Sequence, residues 1–328
     1  MVGKWVALFL GGLTVASLSI AEAASPVVVR YAIALNATDP STRAMAVFKE
    51  EAEKRSGGRL RVDVFHSGQL GGTGELMSQV KGGTLNMALA APAFVQALAP
   101  KLAVITFPYL FNDAGKAFAI LDGPIGKELE AEVEKAGIKI LSWHASGFRH
   151  VLNNRRAIQT PADMRGIKLR LQPNPVHLAT FRAFGANPLA MDFKELYSAT
   201  QQGVIDGMEL PITTIHSSKF YEVTKYLSMT GHAFEVLISY ANKAWFDGLP
   251  KELQGTLLEA GREEARWQRR EHAAEEDKML AELRQRMMVN TPTEAETAQF
   301  RQIAQGVYKE FEKAVTPELL QKIQAAAR

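Results

Sequence analysis

The chain has 328 residues, 47% of them hydrophobic, with 38 basic residues against 35 acidic ones, a net charge of +3 and no cysteine. That length is ample to bury a sizeable core and favours two domains over one. The dispersed basic excess gives no sign of a nucleic-acid partner. The lack of cysteine excludes a disulfide framework, a thiolate nucleophile, a Cys-based metal site and a lipid anchor on cysteine.

Residues 1–23 read as an export signal. Lys4 supplies the positive start, residues 5–20 are almost wholly apolar, and Ala21-Glu22-Ala23 offers small residues at the cleavage spacing, with cleavage expected before Ala24. The apolar run is about 16 residues, short of the roughly 20 that span a bilayer. Export without disulfides suits a bacterial periplasmic protein that relies on its core.

Strand and helix patterns then alternate. Residues 27–33 are rich in β-branched side chains and predict a buried strand. Asp39 or Ser41 caps a helix with Ala44, Val47, Phe48 and Ala52 on one face, and Gly57-Gly58 stops it. Leu60, Val62 and Val64 alternate with Arg61 and Asp63 in a second strand. A helix over residues 75–81 and a strand over 85–90 follow. Gly71-Gly72-Thr73-Gly74 lacks the downstream glycine of a nucleotide loop and reads as a plain turn.

Beyond Gly137, residues 138–143 predict a strand. Thr160-Pro161-Ala162-Asp163 is a helix start, 167–171 a strand, and 175–184 and 193–202 helices. This alternation predicts a mostly parallel sheet covered on both faces. Residues 251–288 predict one long helix of about 57 Å, able to brace two domains. The paired acids Glu50-Glu51 and Glu263-Glu264 are expected to be solvated.

Chemistry-bearing motifs are scarce. There is no G-x-S-x-G elbow, phosphate loop or H-E-x-x-H helix. The seven histidines are scattered and read as packed or surface residues. Two arginines stand out. Arg149 follows Ser146-Gly147-Phe148 at the end of a strand pattern, and Arg170 closes the strand at 167–171. Open α/β sheets bind ligands outside the carboxyl ends of their strands, where a guanidinium offers a planar fork to a carboxylate. Pairing with a structural acid is the equal alternative.

Seven blocks in order carry a resemblance: Ser67-Gly68-Gln69-Leu70-Gly71-Gly72, Phe107-Pro108-Tyr109-Leu110-Phe111, Ser146-Gly147-Phe148-Arg149, the run from Thr160 to Arg170, Gly185-Ala186-Asn187-Pro188, Gln202-Gly203-Val204-Ile205-Asp206-Gly207-Met208-Glu209 and Lys219-Phe220-Tyr221-Glu222-Val223. Together they resemble the DctP-type solute-binding subunit of TRAP (tripartite ATP-independent periplasmic) transporters. The resemblance implies a two-domain α/β binding protein with hinge-connected domains and a long helix bridging both. By that likeness residues 26–147 plus 236–275 form domain I, and 148–235 plus 276–328 form domain II. It implies a small organic acid as ligand, two membrane subunits as partners, no enzyme activity, no metal and no cofactor; a monomer is expected.

The family's chief ligand arginine falls on Arg170 and its G-F-R arginine on Arg149. Phe193 matches an aromatic that packs on the ligand, Glu209 the acid of a D-G-x-E motif, and Asn36 a polar contact of an early loop. Glu209 is expected to pair with Arg149, a bound cation being the alternative. Leu210 stands where many members have Asn, and the loop after residue 90 is Ala91-Pro92-Ala93-Phe94 where sialic-acid binders place charges. Both departures remove polar partners. The expected ligand is therefore a monocarboxylate, a hydroxy or keto acid with a modest hydrocarbon body walled by Phe193, Phe94 and Phe148, with dicarboxylates second. A periplasmic sensor component and a carboxylate-processing enzyme are the competing functions.

Overall fold

The computed structural model describes residues 25–327 together with Met1 and Gly3, so the expected export signal lies almost wholly outside the described residues. The strands are β1 (Val27–Ala32), β2 (Leu60–Phe65), β3 (Met87–Ala90), β4 (Ile138–Asn153), β5 (Lys168–Leu171), β6 (Asn187–Ala190), β7 (Gly207–Pro211), β8 (Tyr226–Asn242) and β9 (Met288–Asn290). They form one sheet in the order β2-β1-β3-β8-β4-β7-β5-β6, with β9 paired to β8.

The expected mostly parallel sheet is corrected to a mixed one. β1, β2 and β3 pair in parallel, as do β5, β6 and β7, but β4 and β8 run antiparallel to each other along nearly their whole length. β8 also pairs antiparallel with β3, and β4 with β7. These two long strands therefore belong to both halves of the sheet. Their alternation is broken by bulges between Ile140 and Ser142, Ala145 and Gly147, and Arg149 and Val151. Periodicity predicts only residues 138–143 of β4 because those bulges interrupt the period of two.

The helices are α1 (Pro40–Arg55), α2 (Thr73–Gly82), α3 (Ala114–Leu121), α4 (Pro124–Lys135), α5 (Pro175–Ala183), α6 (Leu196–Gln201), α7 (Ile212–Ser217), α8 (Lys243–Asp247), α9 (Lys251–Arg284), α10 (Glu294–Val315) and α11 (Pro317–Ala327). α1 starts as predicted: Asp39 caps it, accepting from the Ser41 N–H at 2.9 Å, and Pro40 fills the first turn. Thr160 and Asp163 form a reciprocal capping box, yet the turn they start is a short 3-10 segment, Pro161–Met164.

α9 spans 34 residues, about 51 Å. Its Leu253, Leu257 and Ala260 pack with Tyr31, Phe48 and Leu60 of the first half, and its Leu283 joins Met208, Ile215 and Phe220 of the second. The helix thus touches both parts of the sheet. α10 does likewise: Phe300 packs with Phe181 and Phe184, whereas Val307 lies with the core under α3 and α4. α11 adds Leu319, Leu320 and Ile323 to that same first-half core.

One expectation about α9 is corrected. Glu263 is paired on the surface with Arg266 at 2.7 Å, but Glu264 is fully buried and accepts from the Tyr31 hydroxyl at 3.0 Å. Burial raises its carboxyl well above the usual range, and the Tyr31 hydrogen bond works in the opposite direction.

Candidate functional site

A partly open cavity lies where the two halves of the sheet meet. Its walls come from β1 (Ile33 to Leu35, just past the strand), the N-terminus of α2 (Thr73), the end of β3 with Phe94, and β4, β5, β7 and β8. The space open to the centres of water molecules is about 60 Å³. Most of the wall is apolar, but Arg149, Arg170, Gln172, Glu235, Ser146 and Thr214 also face it. A wider groove of about 610 Å³ is lined by Tyr109, Phe148, Met229 and Tyr308. Its only cation among the described residues, Arg301, is 48% exposed and paired with Glu294, so it offers no desolvated charge.

The backbone of β4 explains which side chains reach the cavity. Residues 146 and 149 differ by an odd number and would alternate to opposite faces of a regular strand. Ser146 is the extra, unpaired residue of the bulge between Ala145 and Gly147, and Gly147 beside it takes the φ of +105° that the bulge requires. The parity flips there, so Ser146 and Arg149 both line the cavity. Phe148 consequently points the other way, onto Phe234 with ring centroids 5.1 Å apart, and the expectation that it walls the cleft is corrected.

Arg149 is buried, and four of its five N–H donors are taken. Its Nη2 donates to Glu209 Oε1 at 2.7 Å and to the Glu209 carbonyl at 2.6 Å, its Nε donates to Glu209 Oε2, and its Nη1 donates to Glu235 Oε2. Burial, the largest single influence on this guanidinium, opposes the charge. Glu209 and Glu235 outweigh it and raise the pKa above the ordinary arginine range. Glu209 is held well below the usual carboxylate range: burial again works against the charge, and Arg149 with a hydrogen bond from His232 overcomes it.

Three histidines gather behind this pair. His232 Nε2 lies 3.1 Å from Glu209 Oε2, and the Thr230 hydroxyl lies 2.9 Å from His232 Nδ1. The Gly231 N–H donates to His150 Nδ1 at 3.1 Å. Burial pushes His150 and His177 down to about 3, so both are neutral at ordinary pH. Among the described residues no group of three or more His, Asp or Glu has the arrangement of a metal site.

Arg170 contrasts with Arg149. It is equally buried, but its Nε donates to the Met191 carbonyl at 2.8 Å and, among the described residues, its two terminal nitrogens have no side-chain partner. Burial lowers it to about 10, which leaves it charged at neutral pH. The site therefore holds one guanidinium taken up largely by two glutamates and one whose terminal nitrogens are open to the cavity.

The structure brings Arg149, Arg170, Phe94, Phe193 and Leu210 together on the cavity wall. Glu209 is not on that wall but behind it, bound to Arg149. Asn36 stands off it, its amide donating to the Ser218 hydroxyl at 3.3 Å. Glu235 and Gln172 are wall residues that sequence reasoning missed. Each had a readable signal: Glu235 interrupts the apolar run Ala233-Phe234-Val236-Leu237, and Gln172 lies two residues beyond Arg170, hence on the same face of its strand.

Residues 31–314 match the model of the bacterial extracellular solute-binding protein, family 7, the DctP family. The chain is 36% identical over 274 residues to the 2,3-diketo-L-gulonate-binding periplasmic protein YiaO of Escherichia coli strain K12, covering 84% of this chain and 83% of that one. It superposes on the sugar acid binding protein DctPAm of Advenella mimigardefordensis in complex with galactonate with a TM-score of 0.90, at 30% identity, over 92% of this chain and 98% of that one. A TRAP periplasmic solute-binding protein from Bordetella bronchispeptica, with density assigned to pantoate, gives a TM-score of 0.88 at 31% identity, over 92% and 99% of the two chains. The chain is a binding protein rather than an enzyme, and it belongs to the DctP family of TRAP periplasmic solute-binding proteins for small organic acids.

Proposed function

We propose that the cavity captures a small monocarboxylate, a hydroxy or keto acid with a modest hydrocarbon body, and that the protein delivers it in the periplasm to the membrane subunits of a TRAP transporter. The observation that carries this reading is Arg170, a buried guanidinium on the cavity wall whose terminal nitrogens have no side-chain partner among the described residues. Such a fork matches a carboxylate with two parallel hydrogen bonds. Phe193, Phe94 and Leu210 pack against the ligand body, and Glu209 holds Arg149 in place beside it. Asn36 serves the lip of the cleft. Galactonate and pantoate, bound by similar proteins, share this chemistry of one carboxylate with hydroxyl groups.

The moving parts in this reading are residues 26–147 with 236–275 and residues 148–235 with 276–328, hinged where β4 and β8 cross. The last helix, α11, packs in the same core as α3. The protein is exported by residues 1–23 and works as a monomer.

A thermal-shift screen of the mature chain against a library of organic acids tests the reading. Ligand at 100 times its dissociation constant stabilises by about 2.7 kcal/mol, an easily measured shift. Stabilisation by compact hydroxy or keto acids is expected. A screen in which only sialic or hexuronic acids bind would refute it.

A further inference from the structure

We propose that Glu235 reads a ligand hydroxyl, so that the cavity takes hydroxylated monocarboxylates and turns away dicarboxylates. The proposal rests on the reading of the cavity as a carboxylate site and names the chemistry of its far wall.

Glu235 comes from β8 and lies opposite Gly147 of β4, with its side chain 10% exposed on the cavity wall. Its Oε2 accepts from Arg149 Nη1 and, at 3.3 Å, from the Ser146 hydroxyl; its Oε1 accepts from Gln172 Nε2. A carboxylate has about four acceptor positions, so Oε1 keeps one. Beside it, Gln172 Oε1 is buried and, among the described residues, has no donor. Two acceptors in one wall, with no protein donor to complete them, call for a ligand that brings O–H groups. A second carboxylate brings none at neutral pH.

Charge gives the same answer. Arg149 and Arg170 balance Glu209 and Glu235. One ligand carboxylate on Arg170 leaves the site one negative charge in excess, and a dicarboxylate leaves two. Arg149 is poorly placed to take the second, because its charge is already matched by the two glutamates and four of its five N–H groups are bound to them. The dicarboxylate alternative drawn from the presence of Arg149 thus loses its cation, and Glu235 adds a repelling charge.

Calorimetry on the mature chain with two chain-length-matched sets tests the inference: butyrate, 2,3-dihydroxybutyrate and succinate, then hexanoate, gluconate and adipate. In at least one set the hydroxylated acid is expected to bind about tenfold or more tighter than the plain acid, and tighter than the diacid. Glu235→Gln is expected to shrink the hydroxyl preference below about threefold and to raise affinity for the diacid about tenfold. Plain acid or diacid binding as well as the hydroxylated one in the unaltered protein overturns the inference alone, whether or not the variant folds. If none of the six acids binds, the inference falls together with the capture reading.

Discussion

The Asp192 carboxylate caps helix α2 from across the cleft, accepting from the Gly74 N–H at 3.1 Å, with the Thr73 N–H at 3.4 Å beside it. Gly72 makes the approach possible: a Cβ there would come within 2.5 Å of Asp192 Oδ1. Lys194 and Glu75 pair at 2.9 Å alongside. The turn at residues 71–74 is therefore a helix N-terminus that receives an acid from the other half of the sheet, where the partial positive charge of the helix favours it.

Because these bonds join the two proposed moving parts, removing them should favour the open form. Asp192→Ala is expected to weaken ligand affinity about five- to tenfold, the effect of losing about 1 kcal/mol at a helix terminus. Gly72→Ala should do the same by displacing Asp192. Small-angle scattering without ligand should show a larger radius in both variants. Unchanged affinity and radius would show that the cap does not bias closure.

Arg170→Ala should weaken ligand binding by about two to three orders of magnitude, since breaking a buried charge pair costs about 3–5 kcal/mol. Arg170→Lys should also lose affinity, because an ammonium cannot make the two-pronged contact. Near-normal affinity in a folded alanine variant, measured by calorimetry, would remove Arg170 from the ligand.

Glu209→Gln should destabilise the fold and weaken binding together. It takes from the buried Arg149 its main counter-charge and leaves Glu235 alone to hold the fork. The expected stability loss in urea titration is about 3–5 kcal/mol. An Arg149→Leu, Glu209→Leu double variant should lose much less than the sum of the single ones. Additive losses would mean that the two residues do not act as a pair.

Acid should unfold the protein earlier than its carboxylates alone require. Burial holds His144, His150 and His177 near 3 and lowers His232 as well, whereas an unfolded histidine titrates near 6.5. Between these values the unfolded chain binds more protons, so stability is full above about pH 6.5 and falls as pH drops toward 3. Each histidine contributes at most about 1.4 kcal/mol per pH unit. Glu264, raised by burial, contributes stability below about pH 4.5 that is lost as pH rises, and offsets one histidine in the upper part of the window. Melting temperature should decline steeply from pH 6.5 to 4.5, and His177→Leu should flatten the slope by about one proton. A level profile would show that these rings are protonated in the fold.

Local signals in the sequence carry the elements with short-range causes. Asp39-Pro40 starts α1, the alternation of Leu60, Val62 and Val64 makes β2, and the glycine-free stretch after Gly261 lets α9 run on through the middle of the fold. Arg170 was legible because strand, charge and chain direction coincide there. Phe148 and Glu264 were not, since each depends on contacts far along the chain. One extra residue at the Gly147 bulge reverses the face of every side chain after it, and only pairing with β8 reveals that shift. Glu264 looks like its solvated neighbour until Tyr31, 233 residues away, is placed against it.

The sequence by itself thus determined the family, the early alternation of strands and helices, and two candidate arginines at strand ends. Tertiary structure alone decided that Arg149 is bound by Glu209 and Glu235, that Glu235 and Gln172 share the wall with Arg170, and that Asp192 closes on α2. The reason is physical. Propensity and capping act within a few residues, whereas the charge state and free valence of a buried group are set by partners that folding delivers from elsewhere in the chain.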